Sequence, residues 1–424
     1  MKIDRIYGLL FFFVFMIASL ANNNIIQLVG TVLFLLAISF SSFEVALLLI
    51  ICLVPSIAIV QVPFIGVGLI GIGSFILSIR KGYILQVPKK ILLCFLIVFS
   101  ITFFRIFEGN YNDVLQFLLV FSSYSLITSV ITNDIIDYIE IIYSFRFGCL
   151  LMIFGMIAQF IVKGATDGRL CALNDDCNYT AAVLIVLFFI SVFSFGYKLF
   201  LRNNVFYMII SLIMGGLTGS RGFILGIGVT LFFIAVRGLR KKEERKIVIL
   251  AIGGIVLIVL MYFMKVRFVV NLYDNTIGRT FELRNTYQNG NFMDISSGRF
   301  FLWDYYLKNK ITSLPELLFG TGFYNYYTIQ NGGYGLAAHS LYISGIIGIG
   351  IVGLICVMIL YFSILCNRER KRGERGFILI PISIFIVYIF LDGIFDIRLL
   401  YYMLITVSLM EVYNNEYNQH EIIC

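Results

Sequence analysis

The residues of this 424-residue chain whose types and spacing could do chemistry form four short clusters, each beside an apolar block. Gly219-Ser220-Arg221-Gly222 lies in a tight turn between two such blocks, and Arg221 is the only charged residue between Arg202 and Arg237. A guanidinium fixed there has the planar fork of donors that suits a diphosphate, and it would equally serve to anchor the hairpin by snorkelling. The second cluster runs from Ser296 to Leu307. Phe300, Trp303 (the chain's one tryptophan) and Leu307 share one face of an expected amphipathic helix, with Ser296 or Ser297 as its cap and Asp304 within it. Arg299 would sit at the positive end of that helix, where an anion meets both a side chain and free backbone N–H groups, or where a lipid phosphate does. In the third cluster, Phe319-Gly320-Thr321-Gly322, two glycines make a turn. The aromatics that follow, Phe323 to Tyr327 with Tyr324 among them, offer flat faces that stack on sugar rings or lie at a membrane interface. The fourth is His339-Ser340. His339 is one of two histidines, suited to proton transfer near neutral pH or to a hydrogen bond at a helix start. Gly345, Gly348, Gly350 and Gly353 follow it and thin the next segment so that neighbours can pack closely.

The elements that must position these clusters are membrane spans. The chain is 60% hydrophobic and 13% charged, with a mean hydropathy of +0.95. A soluble domain carries about 25% charged residues, so that class is excluded. Apolar blocks near 7–21, 25–40, 43–60, 63–79, 91–107, 114–132, 146–163, 179–197, 204–218, 222–237, 247–264, 340–366, 376–391 and 398–413 give fourteen candidate spans. Several are short or nearly fused, so the expected fold is an all-α polytopic membrane protein of about 12–14 transmembrane helices. Residues 1–424 then form one transmembrane domain, within which 265–336 is a large extracytoplasmic loop carrying short amphipathic helices.

Basic residues set the orientation. Lys2 and Arg5, then Arg80, Lys81, Lys89 and Lys90, then Arg146, then Lys198 and Arg202, then 237–246, then 368–375 fall in every second loop. That side holds 20 of the 32 basic residues, and seven of the other twelve lie in the long 265–336 loop, which the positive-inside rule does not govern. Both termini are expected to be cytoplasmic and the long loop outside. The net charge of +8 is mostly this signal, which leaves nucleic-acid binding a poor second reading. The N-terminus imitates a signal peptide, but cleavage would put the charge alternation out of phase, so an uncleaved first span is expected. Six cysteines lie in or beside spans or in the tail, whereas Cys171 and Cys177 share one outer loop in which an oxidising compartment could pair them.

Certain chemistries lack their residues. The outer segments hold no DxD for a metal-bound nucleotide sugar, since Asp175 and Asp176 are adjacent, and no P-loop occurs. Acids in spans are sparse: Glu44 lies near one inner end and Asp392 and Asp396 near one outer end, which makes no carboxylate chain for a proton-coupled carrier.

Taken together the clusters resemble the O-antigen polymerases and O-antigen ligases, membrane glycosyltransferases of surface-polysaccharide synthesis. That family carries His, then Asn, Ser or Gln, nine residues, Gly, two residues, then Gly, Thr or Val; His339, Ser340, Gly350 and Gly353 fit without a gap. Ser220-Arg221-Gly222, Ser297-Gly298-Arg299 with Trp303, and Phe319-Gly320-Thr321-Gly322 occur in the family's order, and the similarity spans about residues 205 to 365. The resemblance implies a bacterial plasma (inner) membrane enzyme, active at its outer face. It would transfer a glycan from an undecaprenyl-diphosphate-linked oligosaccharide without metal or other cofactor and with inversion. Catalytic roles fall to His339, Arg221 and Arg299, and substrate contacts to Ser220, Trp303, Asp304, Gly320, Gly322, Tyr324 and Ser340. Membrane lipids, a chain-length regulator and a flippase are the implied partners. The motif is shared by polymerases and ligases; each polysaccharide needs its own polymerase, and that frequency favours a polymerase over a ligase acting on a lipid A core. A flippase without chemistry would show paired repeats and broken midplane helices, neither of which is visible in the sequence. A structural subunit of a wall-synthesis complex is the remaining reading, and it requires the three outer residues to tolerate substitution.

Overall fold

A computed structural model describes residues 3–21, 23–59, 66–82, 87–108, 111–164, 169–171, 177–196, 203–238, 264–265, 270, 299–323, 326–333, 335, 337–366, 378–391 and 394–423. Its elements are all helices: α1 (Ile3–Leu20), α2 (Asn24–Phe40), α3 (Phe43–Leu53), α4 (Gly66–Lys81), α5 (Lys89–Phe104), α6 (Tyr111–Asn133), α7 (Tyr138–Lys163), α8 (Cys177–Gly196), α9 (Asn204–Leu217), α10 (Arg221–Gly238), α11 (Arg299–Lys310), α12 (Leu314–Phe319), α13 (Leu341–Cys366), α14 (Leu379–Val387) and α15 (Ile397–Ile423), with short 3-10 turns between some of them. Among the described residues, five stretches are long and apolar enough to cross a membrane, namely Ile3–Leu20, Tyr111–Asn133, Tyr138–Lys163, Cys177–Ser194 and Leu341–Leu365. The chain is an all-α polytopic membrane protein. Thirteen of the fourteen hydropathy blocks fall on described helices. All but the last residue of the block at 247–264, the basic runs 240–246 and 368–375, Lys198, Arg202, Ser296, Ser297, Gly298, Tyr324, Asp175, Asp176, Asp392 and nearly all of 265–298 lie outside the described residues.

In so apolar a chain, the helix boundaries are written by the few polar residues. Asn23 caps α2 by accepting from the Ile25 and Ile26 amides, Ser42 caps α3 through Val45, and Asp137 caps α7 through Ile139. Gly164 ends α7 at a positive φ of 78°.

Burial sorts the helices into a centre and a rim. α3 is buried on all sides from Ala46 to Leu53, and so is α15 from Leu399 to Leu409. α2 turns Ile25, Leu28, Val29, Val32, Leu33 and Leu36 outward, an apolar face suited to lipid. Between apolar helices, close approach and polar bonds supply the adhesion that burial cannot, because lipid tails are as apolar as the side chains. At Gly148 of α7 an added Cβ would stand 1.9 Å from the Cys52 carbonyl oxygen of α3, so the backbones touch there. Ser74 of α4 bonds Tyr401 of α15 at 2.7 Å, Tyr124 of α6 bonds Ser363 of α13 at 2.8 Å, and Arg80 donates to the Ile38 and Ser41 carbonyls at the end of α2. For the site two groupings matter: α13 packs on α5, α12 and α15, and α10 packs on α8, α9 and α14.

Replacing Gly148 by Ala is expected to destabilise the folded protein by about 1–3 kcal/mol, the cost of overpacking. Gly228→Ala, at a position where a Cβ meets nothing within 4 Å, should leave the thermal midpoint in detergent unchanged.

Candidate active site

α13 is broken. At Gly350 the backbone leaves the helical region, with φ 70° and ψ 179° inside an otherwise continuous helix. A break in an apolar medium frees carbonyls that must find new donors. Here the Thr321 amide and hydroxyl donate to the Ile347 carbonyl at 2.6 and 3.2 Å, and the Gly322 amide donates to the Gly348 carbonyl at 3.0 Å. The fit needs glycine on both partners. A Cβ on Gly350 would lie 2.2 Å from the Leu318 carbonyl oxygen, and one on Gly320 (φ 76°) would lie 2.5 Å from Gly348 backbone atoms. The 318–323 segment is therefore seated in the break.

Each end of that segment is fixed. Upstream, Ser313 and Glu316 form a capping box that starts α12. Glu316 also accepts from the Thr312 amide and hydroxyl at 2.7 and 2.8 Å, and these donors, Thr312 first and then Ser313, hold its carboxyl below the usual range. Downstream, Arg105, just beyond α5, donates to the Gly320 carbonyl, and buried Asp113 of α6 accepts the Phe323 amide at 3.0 Å.

His339 stands immediately before α13 in a left-handed conformation, φ 49°. For an L residue that costs roughly 1–2 kcal/mol and persists only where the surroundings dictate it. Ser340 dictates from one side: its hydroxyl accepts the Ile343 amide at 3.4 Å and its carbonyl accepts the Ser344 amide at 2.9 Å, so it begins the helix. Ala338 dictates from the other, because its carbonyl accepts from Trp303 Nε1 at 2.6 Å and its amide donates to the Tyr326 hydroxyl at 2.8 Å. Leu302 and Tyr306 of α11 join Tyr326, Ala338 and Ile347 in a small second core, with Trp303 packed against it. The buried face of α11 is thus centred on Leu302 and Tyr306, rotated from the Phe300, Trp303 and Leu307 face expected from the sequence. Tyr306 seats its ring edge-on against Tyr326, 5.1 Å between centroids, and this contact with the protein sets the rotation. Arg299 is the first residue of α11. Asp304 lies on the exposed side in an ion pair with Lys308 at 2.8 Å, away from the second core.

Arg221 is the first residue of α10. Gly219 turns the chain at φ 59°, and buried Ser220 accepts the Phe223 amide at 3.4 Å while donating to Asn178 Oδ1 of α8 at 2.9 Å. The turn is also held from outside. Leu170 N donates to the Leu217 carbonyl at 2.9 Å, Arg169 Nε donates to the Thr218 carbonyl at 2.8 Å, and the Cys171–Cys177 disulfide ties that strip to the start of α8. α14 connects this turn to α13. Val387 lies against Gly222 and Gly226, and Tyr342, three residues after His339, donates to the Phe385 carbonyl at 3.2 Å. Arg221 combines a guanidinium with the positive end of a helix, an arrangement for holding an anion.

One buried cluster escaped the sequence reading. Arg398 and Asp396 form a two-pronged ion pair with contacts of 2.7–3.0 Å, both about 5% exposed. Tyr388 donates to Asp396 at 2.7 Å, Tyr361 donates to the Ile394 carbonyl at 2.7 Å, and Arg398 lies over the Tyr179 ring at 4.0 Å. Tyr179 follows Asn178, so this pair links α8, α13, α14 and α15 beneath the Ser220 turn. The adjacent Asp-Ile-Arg at 396–398 was its one sequence signal.

Substituting His339 separates backbone from side chain. His339→Gly is expected to show a thermal midpoint above that of His339→Ala, because glycine adopts the left-handed conformation freely. Gly350→Ala should lower the stability by about 2 kcal/mol or more, seen as a lower midpoint. Scanning fluorimetry in detergent reads both, and a His339→Gly midpoint below that of His339→Ala would contradict the assignment.

A comparison with curated proteins returns no match. Residues 206–358, which include the Ser220-Arg221 turn, α11, the seated segment, His339 and the break in α13, match the family described as O-antigen ligase. That match, over part of the chain, supports the resemblance to O-antigen polymerases and ligases carried by the four motifs.

Proposed function

We propose that the protein is a polysaccharide polymerase of the bacterial plasma membrane, transferring a glycan from an undecaprenyl-diphosphate carrier to a carrier-linked repeat unit at the outer leaflet. The family supports a glycosyltransferase-like enzyme acting on lipid-linked oligosaccharides. The observation that carries the glycosyl-transfer reading is His339 itself, a proton-transfer group held in a strained backbone at the start of α13, inside the matched stretch; the choice of polymerase over ligase rests on frequency alone.

In the reaction an acceptor hydroxyl attacks the anomeric carbon of the donor. The new C–O bond forms as the bond to the diphosphate breaks, and the hydroxyl proton passes to His339. A single in-line displacement inverts the anomeric centre. Negative charge grows on the departing diphosphate, and Arg221 and Arg299, each at a helix N-terminus, would stabilise it without a metal. Ser220, Trp303, Gly320, Gly322 and Ser340 hold this machinery in place through the bonds described above, while Tyr324 and the aromatics beside it would contact acceptor sugars. Asp304, the remaining candidate substrate contact, is turned outward toward Lys308.

The whole chain serves as one transmembrane domain, with cytoplasmic termini and 265–336 outside. The Cys171–Cys177 disulfide supports this orientation, since it lies beside the Arg221 turn and belongs to an oxidising compartment. The matched family, that of the O-antigen ligases, favours a second reading, ligation of the glycan to a lipid A core. A chain-length regulator and a flippase would act with either enzyme.

Purified protein reconstituted with carrier-linked oligosaccharide alone is expected to yield a ladder of polymers on a gel; product formed only with a lipid A core would establish the ligase, and none with either would refute both. Arg221→Lys and Arg299→Lys should each lower turnover about 10²–10³-fold, and His339→Ala about 10²–10⁴-fold, at unchanged expression.

A further inference from the structure

Asp113 belongs to none of the four motifs and lies outside the stretch that the family matches. It is in the first turn of α6 and only 5% exposed. An ionisable group buried in a membrane bundle is costly and persists where it has a task. Here the task is a backbone amide: its Oδ2 accepts from Phe323 N at 3.0 Å. Arg105, in the connection between α5 and α6, attracts the same carboxylate and donates to the Gly320 carbonyl. Two charged groups that attract each other thus grip the two ends of 320–323. A charged acceptor holds an amide about twice as strongly as a neutral one, so the hold is firmer than a loop ordinarily receives. The Phe323 ring completes it, packed where a Cβ on Gly348 would lie 2.2 Å away and edge-on to Phe395 at 5.2 Å between centroids.

This hold leads to His339. Three residues after Phe323, buried Tyr326 accepts the Ala338 amide on its hydroxyl at 2.8 Å and shares a hydrogen bond with the Ser344 hydroxyl at 3.2 Å. Its ring is wedged against Tyr306 of α11. One short segment is therefore fixed to α6 at Phe323 and to the residue before His339 at Tyr326. His339 keeps its left-handed backbone only while its neighbours dictate it, so a shift of Tyr326 is passed to the imidazole.

We propose that Asp113 is a positioning residue for His339, which it orients through Phe323 and Tyr326. The inference rests on the reading that His339 takes the acceptor proton, and it brings α6 into the machinery of the site.

The test is NMR of the full-length protein in detergent with carbon-13-labelled histidine. His339 and His420 are the chain's two histidines, and His420→Gln assigns the signals. Asp113→Ala and Tyr326→Phe are each expected to move or split the His339 signal and to leave that of His420 in place. Asp113→Asn, which keeps an acceptor for the Phe323 amide, should restore the native signal. Phe323 amide exchange should quicken in Asp113→Ala and stay unchanged in Tyr326→Phe, which separates the two links. If Asp113→Ala does not fold, Asp113→Ser takes its place, its side chain falling short of the amide. A His339 signal unmoved in either of the two disrupting variants, or displaced as far by Asp113→Asn as by Asp113→Ala, would overturn the proposal. Turnover of Asp113→Ala should fall about 10–100-fold, the cost of a misplaced reacting group, with KM for the carrier-linked glycan unchanged. The NMR readout needs no turnover. A signal that moves as expected in a protein that transfers no glycan would retain the positioning and reject the proposed enzyme, whereas transfer at the unmodified rate in Asp113→Ala with an unmoved signal would do the reverse.

Discussion

Backbone carbonyls within an apolar bundle must be satisfied by protein, and the site is organised around the one place where α13 cannot satisfy its own. At Gly350 the helix opens, and the amides of Thr321 and Gly322 complete what the helix leaves unfinished. Because the partner is a loop segment and not water, opening the helix fixes that loop. From the seated segment the constraint spreads outward to Arg105 and Asp113, and along α13 it reaches the turn that carries His339. A rigid loop at the end of a membrane bundle is what a reaction between two large, mobile glycans requires, since orientation contributes much of the available rate.

A second constraint holds the Arg221 side. The Asp396–Arg398 pair has left water almost entirely, a cost that only good geometry and further hydrogen bonds repay. Both are present: three contacts within the pair, the Tyr388 hydroxyl on Asp396 and the Tyr179 ring under Arg398. Four helices converge on it, and Asn178, next to Tyr179, receives the Ser220 hydroxyl. α14 is the joint between the two halves, with Val387 on Gly222 and the Phe385 carbonyl on Tyr342. The cationic turn and the histidine turn are thus carried by elements that cannot move independently.

Much of this was legible in the residues, for reasons that differ by element. Span positions are set by hydropathy over many residues, so thirteen of the blocks coincide with described helices. The four polar clusters stood out because polar residues are scarce in so apolar a chain. Their detailed roles were less visible. Glycines after His339 read as sites of close packing, yet Gly350 is a break, and only its positive φ distinguishes the two. A helical period identifies a hydrophobic face but not whether it meets lipid or protein, which is why α11 buries Leu302 and Tyr306 in place of the stripe through Phe300 and Leu307. Asp396 read, with Asp392, only as one of the sparse acids near an outer helix end because its partner, two residues on, reaches it only through the local turn, and the pairing of Cys171 with Cys177 was open until the fold brought them together.

Amide hydrogen exchange of the unmodified protein in nanodiscs tests the seated segment most directly. If Thr321, Gly322 and Phe323 donate to Ile347, Gly348 and Asp113 as described, their amides exchange as slowly as those of the neighbouring span Tyr111–Asn133, although they lie in a loop. Exchange at the rate of an open loop would contradict it, and with it the seating of this segment in the break of α13.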